Sequence, residues 1–272
     1  MKYSALPKEV ERISKLGDFY LYKELAERIA TEGAEELLLG MIESKELLGN
    51  LDVLSEDHVY MYREKNFNFL LRFLGGDADD DIYGNEYDFF VINPLDEEVV
   101  IPRFTTMAGS IDGECLSPPQ GLTVAAEIRI KPREIVYIKA FSDILDFSEA
   151  TPKDGFALLI HSERKGWTTW TYSREDFSPR NIICTDLTAS RMQLYIKFLG
   201  ELRLKSTIDS LRKVVLSDYA SFVRWEAVEA LEKIGDPNLV ELIESLSMNE
   251  KDPVIRTLAA QCFFAADQQE EL

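Results

Sequence analysis

Eight residues, Arg224-Trp225-Glu226-Ala227-Val228-Glu229-Ala230-Leu231, are echoed 32 positions later by Arg256-Thr257-Leu258-Ala259-Ala260-Gln261-Cys262-Phe263. Shifted back by the same interval, Ala227, Leu231 and Ile234 fall on Tyr195, Leu199 and Leu202. A repeat of this length is one pair of helices. Such a pair cannot bury its apolar face alone and stacks on its neighbours. The pairs read as residues 191–204 with 207–216, then 221–234 with 239–248, and 253–266 opens a third. Asp186 or Thr188 suits the first N-cap. With so few repeats, the stack is expected to need the rest of the chain to complete its core.

Small Ala227, Ala230, Ala259 and Ala260 let helices approach closely, and Leu231 and Phe263 are candidates for a shared core. Gly235-Asp236-Pro237 stops one helix and starts the next. The run Val223 to Pro237, and the entry Asp252-Pro253-Val254-Ile255-Arg256, resemble HEAT-type helical repeats. That resemblance implies a stack that binds other proteins. It also implies that Arg224 and Arg256 brace a loop acid, with Asp218 and Asp252 as the acids within reach.

Upstream the rhythm changes twice. Val10, Ile13 and Leu16 follow Pro7 at helical spacing; Leu21, Leu25 and Ile29 form a second stripe that Gly33 ends; Leu37, Leu38, Met41 and Ile42 form a third. From residue 55 the chain is β-prone and aromatic, with strands expected at 58–62, 67–73, 87–92, 99–105, 122–130, 134–138, 156–163 and 167–173. Asn93 to Glu98, Lys131 to Arg133 and Arg164 to Gly166 read as hairpin turns, and residues 109–121 as a long loop. Short strands separated by turns imply an antiparallel sandwich or barrel. Residues 93–101 and 128–138 resemble Ig-like sandwich modules, with Arg133 where those modules usually carry Gly. A cupin-like barrel reads similarly, but its metal chemistry needs a His-x-His pair, and this chain has only His58 and His161. The fold expected is therefore α+β and multidomain: N-terminal helices in 1–54, a β-rich domain in 55–186 and HEAT-like helices in 187–272.

Net charge is −19, and residues 56–121 hold 14 acidic against 4 basic residues. None of the segments 1–55, 56–121, 122–187 and 188–272 is net basic, which argues against the Lys/Arg clusters that nucleic-acid phosphates require. An acidic face instead suits a basic protein partner or a cation. No apolar run reaches the length of a membrane span or a signal peptide, and Cys115, Cys184 and Cys262 stand far apart. The chain is expected to be cytoplasmic, with no membrane or nucleic-acid partner.

Asp77, Asp79 and Asp81 alternate like the first ligands of a calcium loop, followed by Asn85 and Asp88. Ile82 replaces the required Gly, and Asp88 closes the run where a bidentate Glu belongs. A solvated acidic loop, or a docking surface formed by Asp77, Asp79, Asp80, Asp81, Glu86 and Asp88, fits as well. Cys115 has no histidine near it in sequence, His161 lies on an apolar strand and is expected to be a hydrogen-bonded packing residue, and no phosphate-binding Gly loop is present. Trp170 and Tyr172 share one strand face and Trp167, Thr169 and Thr171 the other, with one face expected to be core and the other exposed. No catalytic residue, cofactor or metal is assigned. The chain reads as a non-catalytic, acidic protein-interaction module: an adaptor, or an immunity-type inhibitor of a basic protein. Its rivals are an enzyme or small-ligand binder with a pocket in the β domain, and a calcium-responsive binder.

Overall fold

The computed structural model describes residues 3–43, 57–64, 66–76, 79–106, 119–184 and 186–270. Its architecture is α+β: N-terminal helices, central antiparallel sheets and C-terminal helices. Strands run as β1 (His58–Glu64), β2 (Phe67–Phe73), β3 (Asp81–Tyr83), β4 (Tyr87–Ile92), β5 (Val99–Ile101), β6 (Arg103–Thr106) and β7 (Leu122–Val124). They continue as β8 (Ile128–Ile130), β9 (Ile135–Ile138), β10 (Asp143–Leu145), β11 (Phe156–Arg164), β12 (Thr168–Ser173) and β13 (Pro179–Cys184). The main sheet has the order β1-β2-β11-β4-β9, and smaller sheets are β10-β6-β7, β13-β12-β3 and β5-β8.

The main sheet is buried on both faces. Phe67, Phe69, Phe90, Ile92, Leu158 and Ile160 point to one side, while Phe89, Val91, Ala157 and Leu159 point to the other. A sheet covered twice has no reason to alternate apolar with polar, so Phe89 to Ile92 and Leu158 to Ile160 read as unbroken apolar runs. Helices α1 (Leu6–Ser14), α2 (Lys23–Arg28) and α3 (Ala34–Glu43), with Ile29 between the last two, cover the first face through Leu6, Val10, Leu25, Ile29 and Leu37. Val99, Ile101 and Ile130 of β5 and β8 cover the second. Each such fully buried side chain stabilises by about 1.5–3 kcal/mol, which is why neither face is left to water.

Three details of the helical reading change. Leu16 and Leu21 are exposed, and Tyr22 takes the buried place instead, because α1 stops at Ser14 and Gly17, at φ 75°, turns the chain. Gly33 does not end the second helix: a π-helical segment, Ile29–Gly33, carries α2 directly into α3. Met41 and Ile42 have no described side chains.

The three expected hairpins are corners between sheets. β4 pairs with β9 and β11, whereas β5 pairs with β8. Both links, β4 to β5 and β8 to β9, therefore pass from one layer to the other. β11 likewise stays in the main sheet while β12 pairs with β3. Buried Asn93 pins the first two corners. Its amide donates to the Glu97 and Ile130 carbonyls at 2.8 and 2.9 Å, its backbone NH to Glu134 at 3.0 Å, and its carbonyl accepts from Arg133 at 3.1 Å. Arg133 sits at φ 64°, the left-handed conformation that favours Gly, which is the residue the sandwich phrase usually carries there. β3 and β10 were too short to show alternation, and β13 is largely exposed. Trp170 and Tyr172 are core, packed with Ile82, Phe104, Leu122 and Ile144.

The chain divides into two compact units. The N-terminal helices belong with the β-strands in the first; residues from Ile182 onward form most of the second. The second unit contains α4 (Leu187–Glu201), α5 (Ile208–Val215), α6 (Ser221–Ile234), α7 (Leu239–Asn249) and α8 (Pro253–Glu270). Asp186 caps α4, its carboxylate accepting from the Ala189 NH at 2.8 Å. Gly235, at φ 78°, closes α6 as a left-handed cap. Between α6 and α8 the interval holds at 32, since Val223 and Ala227 match buried Ile255 and Ala259. Between α4 and α6 it shortens by one: buried Ile196 and Gly200 answer Ala227 and Leu231, while Tyr195 and Leu202 are exposed. A Cβ on Gly200 would stand 2.9 Å from Ala230 Cα, so a residue without a side chain makes the helix contact. Apolar spacing cannot count such a residue, and it selected Leu199 instead.

Candidate interaction surfaces

The acidic segment after β2 is held by arginines from the β12–β13 region. Arg174 Nε donates to the Asp79 carbonyl at 2.8 Å, and its backbone NH donates to the Asp80 carbonyl at 3.1 Å. The Arg174 guanidinium also pairs with Asp146 and donates to Ser148 Oγ at 3.3 Å. Burial alone would raise the Asp146 carboxyl, but Arg174 and Ser148 hold it below the usual aspartate value. Asp81 lies on β3 and pairs with Arg180 at 3.0 Å.

The six acids of the sequence reading are not equivalent. Asp77 lies outside the described residues. Asp79 and Asp80 are exposed, Asp81 is half-buried against Arg180, and Glu86 is buried. Burial raises the Glu86 carboxyl above its ordinary value, although the charge of Arg164 works against the shift. Asp88 accepts from the Ala140 NH at 3.0 Å and faces Lys165 at 3.7 Å. The phenol of Tyr137 is pushed up to about 12, chiefly by burial and next by the Asp88 charge. Asn85 spends its side chain on backbone groups: its amide donates to the Asp143 carbonyl at 3.3 Å, and its oxygen accepts from the Tyr87 NH at 3.0 Å. Among the described residues no group of three or more His, Cys, Asp or Glu side chains could hold a metal ion.

His161, on β11, packs its ring against Tyr87 and Phe89 with centroids 5.0 and 5.1 Å away. Its Nε2 is buried without a hydrogen-bond partner, as is Arg72 Nε. The ring packs as expected, but Nε2 lacks the hydrogen bond that was part of the expectation. Burial, followed by the charges of His58 and Arg72, lowers its pKa to about 3, so the ring is neutral. His58 meets Asp57 at 2.6 Å, and the same carboxylate pairs with Arg72. Cys115 lies outside the described residues.

In the helical unit, arginines of α5 and α6 each reach past the next helix to the loop beyond it. Arg212 of α5 makes a two-pronged pair with buried Asp236, in the turn between α6 and α7. Buried Arg224 donates to the Val215 carbonyl at 2.8 Å, pairs with Glu250 and lies 3.7 Å from Asp252. Asp252 in turn caps α8, accepting from the Val254 NH at 2.8 Å. Of the two acids expected for the brace, Asp252 meets Arg224 and Asp218 does not; Glu250 is the additional partner. Arg256 Nη1 donates to the Glu250 carbonyl at 3.1 Å. These pairs brace the loops between the helices.

Residues 192–263 match the family model of HEAT repeats. The C-terminal helices are therefore a helical module of the protein-interaction type, and the resemblance carried by Val223 to Pro237 holds. No curated protein matches the chain. Among solved structures, hydroquinone 1,2-dioxygenase from Sphingomonas sp. TTNP3, with 4-hydroxybenzoate bound, aligns at 10% identity and TM-score 0.28. That alignment covers 42% of this chain and 68% of the other. Hydroquinone 1,2-dioxygenase PnpCD, in complex with Cd2+ and 4-hydroxybenzonitrile, aligns at 18% identity and TM-score 0.18, covering 39% and 63%. Scores this low tie neither the fold nor the chemistry of this chain to those enzymes. No helix among the described residues is long and apolar enough to cross a membrane.

The surface that the sequence reading overlooked is the outer side of α4. Leu187, Leu194, Tyr195, Phe198 and Leu202 are exposed there, while Ala189, Ile196 and Gly200 are buried on the inner side. The spacing carried that information: apolar residues on two sides of one helix, where a surface helix shows one stripe.

Proposed function

We propose that the protein is a non-catalytic interaction module that engages a basic protein partner through the acidic edge of its β unit, as an adaptor or an inhibitor of the immunity type. The observation that carries this reading is the division of labour in the acidic segment. Arg174 and Arg180 hold its backbone and Asp81, while Asp79 and Asp80 stand exposed beside them in a chain of net charge −19. Fixed exposed carboxylates steer a basic partner to one place, and salt screens that attraction. The HEAT match supports a protein, rather than a small molecule, as the thing bound. Untargeted affinity capture at low and high salt tests it. Wild type should retain a basic protein at low salt only, and Asp79→Lys with Asp80→Lys should reduce recovery about tenfold. Equal recovery by wild type and variant, or recovery indifferent to salt, would sink the reading.

A second reading, a small-ligand site in the β unit, draws on the orphaned His161 Nε2 and Arg72 Nε. A ligand satisfying those groups should raise the melting temperature of wild type in a metabolite screen and leave His161→Phe unmoved.

A further inference from the structure

Helix α4 opens the repeat stack, and the end of such a stack ordinarily turns a polar face outward because no further repeat covers it. This one does the reverse. Leu187, Leu194, Tyr195, Phe198 and Leu202 are exposed by 50–70%. At 3.6 residues per turn they share an arc of about 100°, with exposed Arg191 inside it. Contiguous apolar surface of this kind marks a place where something docks.

The charge around the patch identifies what fits. Residues 187–205 carry four basic side chains, Arg191, Lys197, Arg203 and Lys205, in a chain that is otherwise strongly acidic. All four are exposed, and none has an ion-pair partner among the described residues. The acid in the same stretch, Glu201, is taken by Lys233 at 2.8 Å. The face is therefore apolar with a cation set into it and cations at its margin. Its complement is a helix with an apolar stripe and carboxylates beside it.

We infer that the outer face of α4 docks an acidic amphipathic helix of a protein partner, seated by its apolar stripe and fixed in register by a carboxylate on Arg191. Helix-on-helix recognition of this kind reads i, i+3, i+4 and i+7 anchors. The inference rests on the helical unit being an interaction module and is independent of the acidic β edge.

The test uses the full chain and three labelled synthetic peptides: an amphipathic Leu/Glu helix, its Leu/Lys counterpart and a scrambled Leu/Glu sequence. Fluorescence anisotropy should show binding of the Leu/Glu helix alone. Arg191→Glu should weaken it about tenfold, Arg191→Lys should largely preserve it, and Phe198→Asp should abolish it. Both positions are exposed, so circular dichroism should report an unchanged fold. Asp79→Lys with Asp80→Lys should bind the Leu/Glu helix as wild type does, which separates failure here from failure of the acidic-edge reading. Equal affinity for the Leu/Glu and Leu/Lys helices, no effect of Arg191→Glu, or no binding at all overturns the inference. So does a concentration-dependent dimer lost in Phe198→Asp, since a second copy would then be the occupant. Strong hydrogen-exchange protection of the outer α4 side chains' helix in the free monomer, relieved by Phe198→Asp, would assign the face to the chain itself and overturn it too.

Discussion

His161 lies between Tyr87 and Phe89 with Nε2 sealed from water, so charging its ring means burying a cation. Its pKa stands at about 3 in the folded chain, against an ordinary 6.5. Over that interval the unfolded chain takes up a proton that the native state refuses. The stability this site contributes is complete above pH 6.5 and declines as pH falls toward 3, by at most about 1.4 kcal/mol per pH unit. The lowered carboxyls of Asp146, Asp236 and Glu250 act in the same sense at lower pH, and raised Glu86 acts in the opposite one. Urea midpoints for wild type should therefore fall between pH 6.5 and 5, and His161→Phe should flatten that slope. A slope unchanged in the variant would mean that another group titrates there. The sequence could place His161 on an apolar strand because period and composition are local. Its sealed Nε2 depends on neighbours from β2 and β4, which no local pattern names. Asn93 shows the same limit, since its chemistry suggested a turn while its partners, Ile130 and Glu134, lie 37 and 41 positions away.

At the scale of elements, the helices were legible and the strand partners were not. A helix closes its hydrogen bonds within itself, so caps such as Asp186 and Gly235 and a 32-residue recurrence suffice to place it. A strand closes its bonds elsewhere. Turns at Asn93 to Glu98 and Lys131 to Arg133 look alike whether the chain folds back in one sheet or crosses to another. Arg133 at φ 64° was the available hint of a demanding backbone. The helical loops also explain why Arg224 cannot be exchanged freely. It satisfies the Val215 carbonyl and the Glu250 carboxylate at once, and its side chain is 8% exposed. Arg224→Met would strand a largely buried carboxylate, a loss of about 3 kcal/mol. Lysine lacks the second arm of the guanidinium fork and should recover little of it. Hydrogen exchange should show α7 and α8 opening more readily in both variants; protection equal to wild type would remove Arg224 from the brace.

For the whole molecule, charge is the dominant global quantity. Net −19 repels itself in any compact state, and the local pairs of Arg174, Arg212 and Arg224 relieve only their own surroundings. Raising salt from about 0.05 to about 0.5 M should therefore raise the melting temperature by a few degrees, because screening acts on the long-range repulsion more than on short, partly buried pairs. A melting temperature that falls with salt would show that exposed ion pairs outweigh the repulsion. The acidity was readable from composition; which acids are already paired was not. The sheet order has a further consequence, for the time in which the chain is made. β2 pairs locally with β1, but its other edge pairs with β11, Phe73 meeting Phe156. A ribosome delivers residues in order, at about 5–20 per second. Leu6, Leu25 and Ile29 emerge with Phe67 and Phe69, yet the central strand that completes their floor arrives only after Arg164. For several seconds the nascent chain carries a greasy, half-built layer, and a chaperone that shields residues 6–73 during that delay should raise the yield of folded protein.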